Sequence, residues 1–262
     1  MEIDLKEKRA VVCGSTQGIG KASAIQLSKA GAAITLVARN EEALANVLKE
    51  LDTSFGQKHE YLCADFSDLA KVRAVIGDYV EKAPKVHILV NNTGGPPAGK
   101  AIDAGSEEYQ AAFTAHLLCN QFLAQSFVPL MKAEHYGRII NIISTSVKSP
   151  IPGLGVSNTI RGAVASWAKT LAGELGAYGI TVNNVLPGLT KTARLFSLIK
   201  TKAAEANITE EEQTRAMVTS VPVRRLAEPE EVAAAVMFLA SPLASYINGI
   251  NLPVDGGRTT SL

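Results

Sequence analysis

The sequence predicts an α/β fold, a Rossmann-type doubly wound parallel sheet of about seven strands with helices on both faces. Three observations predict it. Short β-branched runs alternate with helical patterns along the whole chain. The runs are apolar throughout rather than alternating, as strands covered on both faces are. A glycine-rich turn joins the first run to the first helix.

The elements follow in order. RAVVC (Arg9–Cys13) is the first strand, and Lys21–Gly31 reads as a helix stopped at its glycine. AITLVA (Ala33–Ala38) is the second strand. NEEALANVLKEL (Asn40–Leu51) is a helix with an Asn cap and acids in its first turn. HEYLCA (His59–Ala64) is the third strand, before a helix over Asp68–Lys82. HILVN (His87–Asn91) is the fourth, and one long helix fits Ser106–Lys132, with a bend expected at Pro129. RIINIIS (Arg138–Ser144) is the fifth, followed by a helix over Ser157–Ala177. TVNNVL (Thr181–Leu186) is the sixth. A polar helical stretch, Thr192–Thr219, interrupts the alternation before a helix opening at Pro229. INLPVD is the seventh.

No linker, repeat or low-complexity tract divides the chain, so residues 1–262 are read as one domain. Thr192–Thr219 follows a strand end, where ligands bind in such sheets, and is expected to be a substrate lid. The net charge is +1, so neither nucleic acid nor an anionic membrane is an expected partner. No apolar run approaches a membrane span. Cys13, Cys63 and Cys119 lack metal-ligand spacing and lie in apolar segments. They read as buried free thiols of a cytoplasmic protein, and no metal site is expected.

CGSTQGIG (Cys13–Gly20) lies between the first strand and its helix, with glycines at 14, 18 and 20. A pyrophosphate needs a tight turn, close backbone approach and the free N–H groups of a helix start, and this segment offers all three. The second strand ends LVARN. Ala38 stands where an acid would hold a ribose 2′-hydroxyl, and Arg39 follows. A guanidinium suits a 2′-phosphate, so NADP(H) is favoured over NAD(H).

These residues, with NNTG (Asn91–Gly94), GRIINIIS, VNNVLPGLTKT and the closing VDGG, resemble the short-chain dehydrogenase/reductase family over essentially the whole chain. Within it the look is nearest to the 3-oxoacyl-thioester reductases. The resemblance implies that Gly14, Ser15, Gly18, Ile19 and Gly20 hold the pyrophosphate and neighbouring cofactor atoms. It implies that Asp65 faces the adenine and that Asn91 and Gly94 support the cofactor loop. It places Pro187, Gly188 and Thr192 along the nicotinamide half, and makes Ser144 the residue that hydrogen-bonds a substrate carbonyl. A small-molecule carbonyl or alcohol substrate follows, as does a homotetramer or homodimer formed through a C-terminus like SPLASYINGINLPVDGG.

The pattern breaks at the YxxxK motif. None of the six tyrosines has Lys four residues on. Aligned with the family, GLGVSNTIRGAV puts Ser157 at the Tyr position and Arg161 at the Lys position, and His116 stands where the preceding helix usually has Asn. Serine is a far weaker acid than a phenol of pKa about 10. Arg161 keeps the positive charge and can hold ribose hydroxyls, but does not release a proton at working pH. His116 is the expected replacement acid if it faces the cleft, and a helix histidine satisfied by the backbone if it does not. Two functions follow: an NADP(H)-dependent oxidoreductase with an altered proton donor, or a non-catalytic NADP(H)-binding sensor or partner subunit.

Overall fold

The computed structural model of the chain describes residues 3–82 and 85–261. Seven strands form one parallel sheet, β1 (Arg9–Cys13), β2 (Ala33–Ala38), β3 (Glu60–Cys63), β4 (Ile88–Asn91), β5 (Gly137–Ile142), β6 (Ile180–Pro187) and β7 (Asn251–Val254). Their order across the sheet is β3-β2-β1-β4-β5-β6-β7. The chain winds outward from β1 to β3, then returns to β4 beside β1 and winds the other way. That reversal opens a crevice above the C-terminal ends of β1 and β4.

Alternate residues of each strand feed two separate cores. Ala10 and Val12 of β1, Ile88 and Val90 of β4, and Ile140 and Ile142 of β5 face one layer. There they meet α1 (Gly18–Lys29), α2 (Glu41–Leu48) and α9 (Pro229–Ala240). Val11, Cys13, Leu89 and Ile139 face the other layer. That side is covered by α3 (Leu69–Lys82), α5 (Cys119–Ala133) and α6 (Gly155–Leu175). Burial on both faces is why the strand sequences carry no polar alternation.

Three expectations need correction. The helix from Ser106 is not one uniform rod. α4 (Ser106–Phe113) passes into a π-helical turn, 114–118, before α5, and Pro129 lies inside α5. The wider turn changes which residues face inward, so His116 is buried while Phe113 and Leu118 are exposed. The stretch 192–219 is a helix pair, α7 (Ala193–Ala206) and α8 (Glu210–Thr219), with a small core of its own around Leu195, Ile199 and Val221. Asn207 at φ +52° ends α7, and Thr209 with Glu212 forms the capping box that starts α8. Cys13 and Cys119 are buried free thiols, but Cys63 is only partly covered.

A row of asparagines crosses the sheet beneath the crevice. Asn91, Asn141, Asn184 and Asn251 stand side by side on β4 to β7. Each side-chain N–H donates to the next oxygen at 2.8 Å, Asn91 to Asn141, Asn141 to Asn184 and Asn184 to Asn251. Amides fit here because each offers both a donor and an acceptor. Asn141 is fully buried in the middle of the row. Asn141→Ala is expected to lower stability by about 2–4 kcal/mol, because two buried amides each lose a partner. Equilibrium denaturant titration reads this, and an unchanged midpoint would show that the row adds nothing.

Candidate functional site

A cleft of about 610 Å³ occupies the crevice. Its floor is the β1–α1 turn. Gly14 and Gly18 have φ of +58° and +55°. A Cβ on Gly20 would stand 2.2 Å from the Gly14 oxygen, and one on Gly14 would stand 2.4 Å from the Asn92 oxygen. Only glycine fits such an approach. α1 begins with Gln17 as N-cap and no side-chain cap, so its first N–H groups have no side-chain acceptor. The Ser15 hydroxyl is buried without a partner in the protein. Orphan donors at a helix start beside a glycine turn fit an anion rich in acceptor oxygens.

The expected residues divide into those that line the cleft and those that support it. Gly14, Gly18, Ile19, Arg39, Asp65, Gly94, Ser144, Ser157, Arg161, Pro187, Gly188 and Thr192 line it. Ser15 and Gly20 lie behind the turn. Asn91 is also behind the wall, in the asparagine row, and its neighbour Asn92 reaches the cleft instead. Asn92 Nδ2 donates to the Cys13 and Gly14 carbonyls, both at 3.2 Å, and so ties the loop after β4 to the glycine turn. At one end Arg39 is 78% exposed and lies 3.9 Å from the Asp65 carboxylate. Hydrogen bonds from Ser67 hold that carboxyl below its ordinary range.

At the other end Ser144 Oγ accepts from the Ser146 N–H at 3.1 Å. Among the described residues no bond donated by this hydroxyl is seen, and Ser144 lines the cleft. Arg161 is only 8% exposed, and its Nη1 donates to the Ile142 carbonyl oxygen at 2.9 Å. Burial, and then the nearby charge of Arg194, lower its pKa to about 10, so it remains a cation at neutral pH. Arg194 was not singled out in the sequence. It occupies the first turn of α7, donates to the Pro96 carbonyl oxygen and lines the cleft mouth, as does Arg258. Being in the first turn of a helix after a strand end was the one available signal.

His116 does not line the cleft. It is 3% exposed, and its Nδ1 lies 2.6 Å from the hydroxyl of Thr93, which does line it. Burial, followed by the charge of Arg161, lowers its pKa to about 3. It is therefore neutral near pH 7, and of the two expectations this geometry matches the second, a buried helix histidine with a backbone hydrogen bond, at Gly94. The folded pKa lies below the unfolded value of 6.5, so the unfolded chain takes up the proton first. Stability is thus expected to fall as pH drops from about 6.5 toward 3. NMR of the His116 ring should show no titration between pH 8 and 5; a midpoint near 6.5 would contradict this burial.

Comparison with known proteins places these features in context. A family model described as enoyl-(acyl carrier protein) reductase matches residues 14–259. The 3-oxoacyl-(acyl-carrier-protein) reductase of Rickettsia felis is 34% identical over 97% of this chain and 98% of its own. The 4-formylbenzenesulfonate dehydrogenase of Comamonas testosteroni is 31% identical over 98% and 99%. The crystal structure of L-sorbose reductase from Gluconobacter frateurii, complexed with NADPH and L-sorbose, superposes with a TM-score of 0.93 at 30% identity, covering both chains fully.

Proposed function

We propose, from the premise that the chain belongs to the short-chain dehydrogenase/reductase family of oxidoreductases, that it is an NADP(H)-dependent enzyme reducing a small-molecule carbonyl or oxidising the corresponding alcohol. The observation that carries this reading is the glycine turn with its uncapped helix start, set at the sheet's switch point. These residues fit the pyrophosphate of a dinucleotide. Arg39 supports a 2′-phosphate at the exposed end, a reading consistent with the sorbose reductase having been crystallised with NADPH. Pro187, Gly188, Thr192 and Gly94 line the far end, where the nicotinamide half lies in this reading.

A bound nicotinamide supplies or accepts the hydride; the chain does the rest. Ser144 donates a hydrogen bond to the carbonyl oxygen from a hydroxyl already oriented by Ser146. Arg161 stabilises negative charge as it develops on that oxygen, an effect magnified by burial. Proton delivery is assigned to water entering the open cleft, since Ser157 is a weak acid and His116 is neutral and engaged by Thr93. α7 acts as the lid, with Thr192, Arg194, Leu195 and Leu198 forming one wall of the cleft, and α8 packs against it from outside. The second reading, a non-catalytic NADP(H)-binding protein, draws on the unusual Ser157 and Arg161.

Titration with NADPH and with NADH, followed by nicotinamide fluorescence, tests the cofactor assignment. NADPH is expected to bind more tightly, and Arg39→Ala to reduce that preference about tenfold. Equal affinities that Arg39→Ala leaves unchanged would remove the 2′-phosphate role. Failure of both nucleotides to bind would remove the oxidoreductase reading.

A further inference from the structure

We propose that the substrate is an oxo acid, whose carboxylate is held between Arg194 and Arg161 beside Gly95. The inference rests on the oxidoreductase reading above and adds the class of substrate.

The charge in the cleft is one-sided. Arg39, Arg161, Arg194 and Arg258 line it, against the single carboxylate of Asp65. Asp65 lies near Arg39. Among the described residues no carboxylate pairs with Arg161, Arg194 or Arg258. A Cβ built on Gly95 would lie 3.6 Å from Arg194 Nε and 3.8 Å from Arg161 Nη2. Two guanidinium groups thus approach one bare backbone position, and no side chain fills it.

This arrangement is costly without a ligand. Arg161 is buried, and among the described residues its hydrogen bond is from Nη1 to the Ile142 carbonyl oxygen. Its charge and that of Arg194 oppose each other, and both oppose protonation of His116. Arg194 also lies in the first turn of α7, where the helix dipole disfavours a cation, and no acid accompanies it there. An anion between them relieves both the mutual repulsion and the unfavourable charge at the helix start. A buried cation is retained where something pairs with it.

The cofactor's phosphates have other partners in this reading. The pyrophosphate has the β1–α1 turn, and the 2′-phosphate has Arg39. Arg194 therefore has no role toward the cofactor in this reading, and Arg161, whose charge serves the reacting oxygen, presents Nη2 toward the same backbone position for the substrate's carboxylate. Arg161 bonds the carbonyl of Ile142, two residues before Ser144. A group held there is close along the chain to the hydroxyl that takes the reacting carbonyl. A carboxylate matches the paired N–H groups of guanidinium, and its separation from the carbonyl must be short.

The test uses isothermal titration of the full chain, free and NADPH-saturated, with 2-, 3- and 4-oxopentanoate, each beside its methyl ester. At least one acid is expected to bind about tenfold or more tightly than its ester. Arg194→Gln should remove that difference while leaving the ester's affinity and the NADPH affinity within about twofold, and Arg194→Lys should restore part of it. The inference is overturned if every acid binds no better than its ester, or if Arg194→Gln weakens NADPH instead of the acid. Should NADPH itself fail to bind, the oxidoreductase reading falls, while acid against ester on the free protein still decides the anion site.

Discussion

The architecture of the cleft depends on one close approach between two adjacent strand ends. The turn after β1 and the loop after β4 press together so tightly that a Cβ on Gly14 would meet the Asn92 oxygen at 2.4 Å. Asn92 fastens the contact by donating to both Cys13 and Gly14 carbonyls. These strands are the pair at which the winding of the sheet reverses. Their connections leave in opposite directions, so the space above them stays open. The asparagine row then carries the same register across β5, β6 and β7. It keeps the ends bearing Ser144 and Gly188 level with the glycine turn.

The electrostatics of the cleft follow from what this frame buries. Placing Arg161 on α6 under the end of β5 puts a permanent cation where little water reaches it. Burial keeps His116 neutral, and the Arg161 cation adds to this by opposing a second positive charge nearby. The same field favours negative charge, either on a carbonyl oxygen as it is reduced or on an anionic group of the substrate.

Much of the frame was legible in the sequence because its signals are local. β1 and β2 match their expected bounds, since apolar β-branched runs between turn residues specify a strand with no help from tertiary packing. The glycine turn was equally clear, because its spacing answers a backbone requirement. The rest needed the third dimension. Whether His116 faces the cleft depends on a π-helical turn, which adds no recognisable residue to the sequence. In the pair Asn91 and Asn92, strand alternation sends the first into the sheet's amide row and leaves the second at the strand end to reach the cleft. Arg194 lies far along the chain from Arg161, and only the docking of α7 over the cleft brings them to the same backbone position.

The most direct measurement of the account is the fate of a labelled hydride. NADPH carrying deuterium at the transferable nicotinamide C4 position is mixed with the protein and a panel of carbonyl compounds, and the alcohol formed is analysed by mass spectrometry. The account requires one deuterium on the former carbonyl carbon. Tight NADPH binding with no deuterium-bearing alcohol from any carbonyl would contradict it, and would leave a nucleotide-binding protein that transfers no hydride.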